Sequence, residues 1–131
     1  MLTAPGGRRT PPPSLTARSD FLRVQGEGRR FRRERLTVLV HGGELENPRV
    51  GYTVSRKVGN AVIRNRVRRR LREIVRLNQE LLVTGFDYVI VGSPAAAASS
   101  YEALEHELCG LLGSVRAWAD GRRPRPGAPE A

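Results

Sequence analysis

The chain has 131 residues, about the length of one domain, and a formal charge of +10 with a pI near 11.4. Its 23 basic residues are all arginine except Lys57, which points to an anionic partner; arginine's planar fork, which grips phosphate and stacks on bases, favours RNA. The single cysteine, Cys109, excludes an intrachain disulfide, and there is neither an apolar run of about 18 residues nor a secretory signal, so a cytoplasmic protein bound to no membrane is expected.

Residues 1–13, rich in proline and glycine, have almost nothing to bury and read as a disordered basic arm. A domain over 14–120 follows. Its first element is a short helix over about 14–25, with Ser19 or Asp20 able to cap its last portion and Phe21, Leu22 and Val24 available to bury. The run LTVLV at 36–40 reads as a strand ended by Gly42 and Gly43. In RVGYTVS at 49–55, Val50, Tyr52 and Val54 alternate with Gly51, Thr53 and Ser55, the pattern of a half-buried strand. Asn60 can cap a long helix over 61–82, stopped by Thr84 and Gly85. Then come the strand DYVIVG, a linker of small residues through Pro94, and a last helix over about 100–119. Residues 121–131 repeat the composition of the arm and read as a loose tail. The order α-β-β-α-β-α, with room for an extra short strand, predicts an α+β fold: a single-domain αβ sandwich whose small mixed sheet is covered by helices.

The long helix carries the main signal. On a helical wheel Ile63, Val67, Leu71, Ile74, Val75, Asn78, Leu81 and Leu82 share an arc of about 120°, which must face the sheet. The remaining arc holds Arg64, Arg66, Arg68, Arg69, Arg70, Arg72 and Arg76, relieved only by Asn65, Glu73 and a few residues beyond. Like charges four residues apart cost a few tenths of a kcal/mol per pair, and 64, 68, 72 and 76 make a row of them. An ordinary solvated face mixes both signs; one of a single sign is relieved by phosphates. A membrane-bound helix would need the apolar stripe that the sheet requires, and a DNA-reading helix-turn-helix would need a helix, not a strand, just before it.

The stretch GYTVSRKVGNAVIRNRVRRRLRE at 51–73, with its Arg64-Asn65-Arg66 element, closely resembles the central segment of bacterial ribonuclease P proteins. Weaker similarity extends over 20–31 and 86–94. The resemblance implies a subunit that binds a catalytic RNA through the arginine helix and receives the single-stranded 5′ leader of precursor tRNA in a cleft beside the sheet. The RNA, with its Mg²⁺ ions, would then remove that leader endonucleolytically. By the match, Arg64, Asn65, Arg66, Arg68, Arg69 and Arg72 take the family's place at the catalytic RNA, and Phe21, Thr53, Arg56 and Lys57 fall near the leader. Phe21 reads equally as a core aromatic of the first helix. Gln25 and Leu39 stand where the family often has further aromatics, which implies weaker base stacking. The resemblance also implies a left-handed crossover between the strands flanking the arginine helix, against the general rule.

A self-contained nuclease needs groups that move protons or hold metal at the scissile phosphate. His41 beside a glycine turn and His106 among glutamates form no pair. Glu102, Glu105 and Glu107 lack a second set of ligands, while Cys109 and Trp118 read as packing residues. No catalytic residue, metal or cofactor of the protein's own is expected, nor any required protein partner.

Overall fold

The structure, a computed structural model, describes residues 10–42 and 47–122. In chain order the elements are α1 (Arg18–Glu27), β1 (Arg29–Arg32), β2 (Leu36–Gly42), β3 (Arg49–Val54), α2 (Ala61–Leu77), β4 (Phe86–Gly92), α3 (Pro94–Ala97) and α4 (Tyr101–Arg122), with 3₁₀ turns at Arg56–Val58 and Gln79–Leu81. The strands form one mixed sheet in the order β1-β2-β4-β3. β2 runs antiparallel to both its neighbours, and β3 lies parallel to β4, to which it is connected through α2. The expected α+β fold is present, and β1 is its extra strand.

Alternation along the strands sends side chains to two faces. On one face Leu36, Val38, Val40, Val50, Tyr88 and Ile90 pack with Val67, Leu71 and Ile74 of α2 and Leu104, Leu108 and Leu112 of α4. On the other, Leu39 and Val89 are buried with Val24 of α1 and with Leu15. Each buried aliphatic side chain contributes about 1.5–3 kcal/mol, so the two central strands, buried on both sides, need their nearly continuous apolar sequence.

Two buried carboxylates tie helices to this sheet. Asp87 on β4, 1% exposed, accepts hydrogen bonds from Arg49 Nε (2.9 Å) and Nη2 (2.7 Å) and from Arg23 Nη2 (3.1 Å). Asp20 accepts from the same two arginines at 3.0 and 3.3 Å, so α1 is held to β3 and β4 by a four-membered ionic cluster. Glu107 of α4 accepts from the backbone N–H groups of Arg35 and Leu36, both at 2.8 Å, and so satisfies the start of β2.

Several boundaries differ from those predicted. Helix α1 begins at Arg18, after Ala17, and no side chain caps it; Asp20 is drawn into the ionic cluster instead. Residues 13–15 run along the edge of β3, where Val50 N donates to Pro13 O and Leu15 N to Val50 O, each at 3.0 Å, so the ladder crosses the boundary expected between arm and domain. The Thr10 carbonyl accepts from Gln79 Nε2 at 2.8 Å. Helix α2 stops at Leu77 rather than near 82, because Asn78 Nδ2 folds back to donate to the Ile74 carbonyl at 2.8 Å and a 3₁₀ turn follows. Pro94 opens α3 within the expected linker, and α4 continues to Arg122, past the expected start of the tail. The remaining expectations for the arm and tail, and residues 44–46 of the turn that the sequence predicts through Glu44 to Pro48, lie outside the described residues.

Candidate RNA-binding surface

Asn60 opens α2 as expected, its Oδ1 accepting from Ile63 N at 3.0 Å. Burial of Val67, Leu71, Ile74 and Val75 then fixes which arc faces outward. Arg69, Arg72 and Asn65 are exposed, while Arg64, Arg66 and Arg68 are half-buried along the same arc. The flanks are braced: Arg66 Nη2 and Arg70 Nη1 donate to the carbonyls of Ala97 (3.4 Å) and Ser99 (3.1 Å), and the Arg72 guanidinium lies 5.6 Å over the ring of Tyr52. Arg68 Nη1 donates to Asn65 Oδ1 at 2.7 Å. The one acid on this arc, Glu73, is taken by Arg76 at 2.6 Å, a bond that holds its carboxyl below the usual range. The Nε atoms of Arg64 and Arg66 are buried with no partner among the described residues. Each guanidinium has five N–H donors, so these contacts orient the arginines and leave most of their donors for phosphate.

The second group of predicted residues lies where β3 meets α1, on the opposite face of the sheet from α2. Phe21 rests on Gly51: a Cβ at Gly51 would lie 2.4 Å from Phe21 Cζ. Its ring also packs against the Leu39–Val89 cluster and lines a recess of about 370 Å³ with Thr16, Arg18, Leu22, Gln25 and Thr53. One face of the ring is therefore packed and another is open to the recess. Arg56 and Lys57 are exposed on the turn between Thr53 and Asn60, so they link this recess to the start of α2. Thr16 and Arg18 were not singled out from sequence. Leu22, expected to be buried, is 53% exposed because the sheet contacts of α1 use Val24 instead. Gln25 reaches the recess, whereas Leu39 is 3% exposed beneath α1 and cannot meet a base.

The other titratable groups lie apart from these surfaces. His41 Nε2 lies 3.4 Å from Glu27 Oε1 in a separate recess of about 710 Å³, which Arg29, Phe86 and Trp118 also line, and His106 is exposed on α4. Cys109, expected to be buried, is half-buried; burial and the nearby Glu105 and Glu80 push its thiol pKa up, away from nucleophilic use. Among the described residues, no three His, Cys, Asp or Glu side chains group as metal ligands, and no helix is long and apolar enough to cross a membrane.

Comparison with known proteins converges on one family. The family model for ribonuclease P matches residues 11–116. The ribonuclease P protein component of Alkaliphilus metalliredigens is 35% identical over 102 residues, spanning 78% of this chain and 92% of that one. The corresponding protein of Gluconacetobacter diazotrophicus is 41% identical over 96 residues, 72% of this chain and 83% of its own. Among solved structures, the RNase P protein of Thermotoga maritima superposes with a TM-score of 0.71 at 30% identity, covering 77% of this chain and 96% of that one. That of Staphylococcus aureus gives 0.73 at 23% identity, over 78% and 94%.

Proposed function

The chain belongs to the ribonuclease P protein family, a component of an endoribonuclease that processes tRNA 5′ ends, and from that premise we propose how its two surfaces divide the work. Helix α2 binds the catalytic RNA through Arg64, Asn65, Arg66, Arg68, Arg69 and Arg72. Phe21, Thr53, Arg56 and Lys57 receive the single-stranded 5′ leader of precursor tRNA. The observation that carries this reading is the outward arc of α2, where arginines fill successive turns and the sole acid is already paired. Such an arc is unfavourable alone and is relieved by phosphates.

In this division the catalytic RNA, with its Mg²⁺, hydrolyses the bond at the mature 5′ end of the tRNA. The protein contributes binding and orientation: it anchors the leader at the recess and lowers phosphate repulsion between the two RNAs. A cytoplasmic ribonucleoprotein of one RNA and this protein, with no further protein partner, fits these roles.

The test is cleavage of precursor tRNA at low Mg²⁺ by catalytic RNA alone, by the protein alone and by the two together. Stimulated 5′ cleavage with both is expected; no stimulation, or full activity from protein freed of RNA, would overturn the reading. If about six arginines meet phosphates, affinity for the catalytic RNA should fall by roughly 10³-fold between 50 and 200 mM salt.

A further inference from the structure

The strand register extends the leader surface across the sheet. Arg32 pairs with Thr37, Thr37 with Val91 and Val91 with Thr53, one row from β1 to β3. The neighbouring row is Arg30, Leu39, Val89 and Gly51. Helix α1 covers the inner part of this second row, where Leu39 and Val89 are buried and Phe21 sits on Gly51. The first row lies beyond the helix: Thr37, Val91 and Thr53 are half-exposed and Arg32 is exposed. With strands about 4.8 Å apart, it runs roughly 14 Å from the recess to the far edge of the sheet.

At that far edge the sequence of β1, RRFR, does two jobs. Phe31 turns to the α4 side and packs edge-on against Trp118 at 5.8 Å, which forces Arg30 and Arg32 to the α1 side. Both are exposed, and neither guanidinium has an ion pair or hydrogen bond among the described residues, unlike those of Arg23, Arg35 and Arg49. Glu27, which lines the adjoining recess with Arg30, lies against His41. The row between recess and arginines offers hydroxyls and methyls and no aromatic ring, so it can pass a chain without gripping its bases.

Resting on the leader reading above, we propose that Arg30 and Arg32 form a distal phosphate-binding site for the precursor tRNA leader, reached along the row Thr53–Val91–Thr37. Two guanidinium forks suit backbone phosphates whatever the bases. They supply by charge the affinity that Gln25 and the buried Leu39 do not supply by stacking.

The test uses holoenzyme reconstituted with wild-type protein or with the Arg30→Gln/Arg32→Gln double variant. Binding is measured for precursor tRNA with a leader of about eight nucleotides, one of about two, and none. The double variant should lower the long-to-short affinity ratio by about tenfold and flatten the salt dependence of long-leader binding by about 0.7 in log–log slope per lost contact. Arg32→Lys with Arg30 intact should retain most of the ratio, which separates lost charge from a damaged fold. A wild-type long-leader advantage that persists in the double variant overturns the proposal, as does an equal loss on all three substrates, which would put these arginines on the tRNA body or the catalytic RNA. If the wild-type holoenzyme gains nothing from any leader, it is the underlying leader reading that fails.

Discussion

Gly51 is where fold and proposed function meet in a single residue. Its missing side chain lets the Phe21 ring lie on the sheet, and an added Cβ would overlap the ring at 2.4 Å. Gly51→Ala should displace Phe21 and cost about 1–3 kcal/mol, the usual range for overpacking. It should also weaken leader-dependent binding while leaving affinity for the catalytic RNA, carried by α2 on the other face, near wild type. Urea denaturation and paired binding to precursor and leaderless tRNA check both parts. Sequence pattern placed Gly51 and Thr53 on one face of their strand, because alternation is a local property. It could not choose between the two readings of Phe21, nor show that Leu39 is sealed beneath α1, because both depend on where a helix lands on a sheet. Arg30 and Arg32 were missed for a related reason: three arginines around one phenylalanine look like a charge run until strand pairing assigns their sides.

Helix α2 was the element best read from sequence, since its stripe repeats over several turns and Asn60 marks its start. Its end was misplaced because Asn78 stops it by bonding back to the Ile74 carbonyl, while the apolar periodicity runs on through Leu81, in a 3₁₀ turn, and Leu82 just after it. Helix α1 was harder: its N-terminus has no side-chain cap, and what holds it is the distant pair Arg49 and Asp87. Asp87→Asn would leave two arginines facing a neutral group at a buried site, and should cost about 3 kcal/mol, at the low end for a broken buried pair because Arg23 is 31% exposed. The loss should be seen first in α1. Hydrogen exchange is expected to accelerate at the amides of Arg18–Glu27 well before those of Ala61–Leu77, and equal acceleration in both helices would argue against Asp87 as the tie that holds α1.

For the molecule as a whole, the layers followed from the sequence because the helix stripe and strand alternation show which faces are apolar; the strand order did not, since the pairing of β2 with β4 joins distant segments. What that packing leaves outside is charge. Part of the positive charge lies where Arg64, Arg68 and Arg72 stand one turn apart beside Arg66 and Arg70, and only Arg76 has a carboxylate on the helix. Three like-charge pairs, at 64/68, 68/72 and 66/70, should together cost the free protein roughly 1 kcal/mol at low ionic strength. Salt screens pairs of such half-exposed side chains, so sodium chloride should raise the Tm of the free protein, by about 4–8 °C if the whole cost is relieved. The same salt should lower affinity for RNA, because counterion release is then less favourable. Arg68→Glu separates the two effects, for it turns two of the repulsive pairs into attractive ones. Its Tm should be higher than wild type at low salt and nearly independent of salt, while its affinity for the catalytic RNA should be weaker. A variant no more stable than wild type at low salt would mean that the fold does not bear the cost of the arginine arc. Calorimetry of the two proteins at low and high sodium chloride, beside filter binding in the same buffers, gives both readouts.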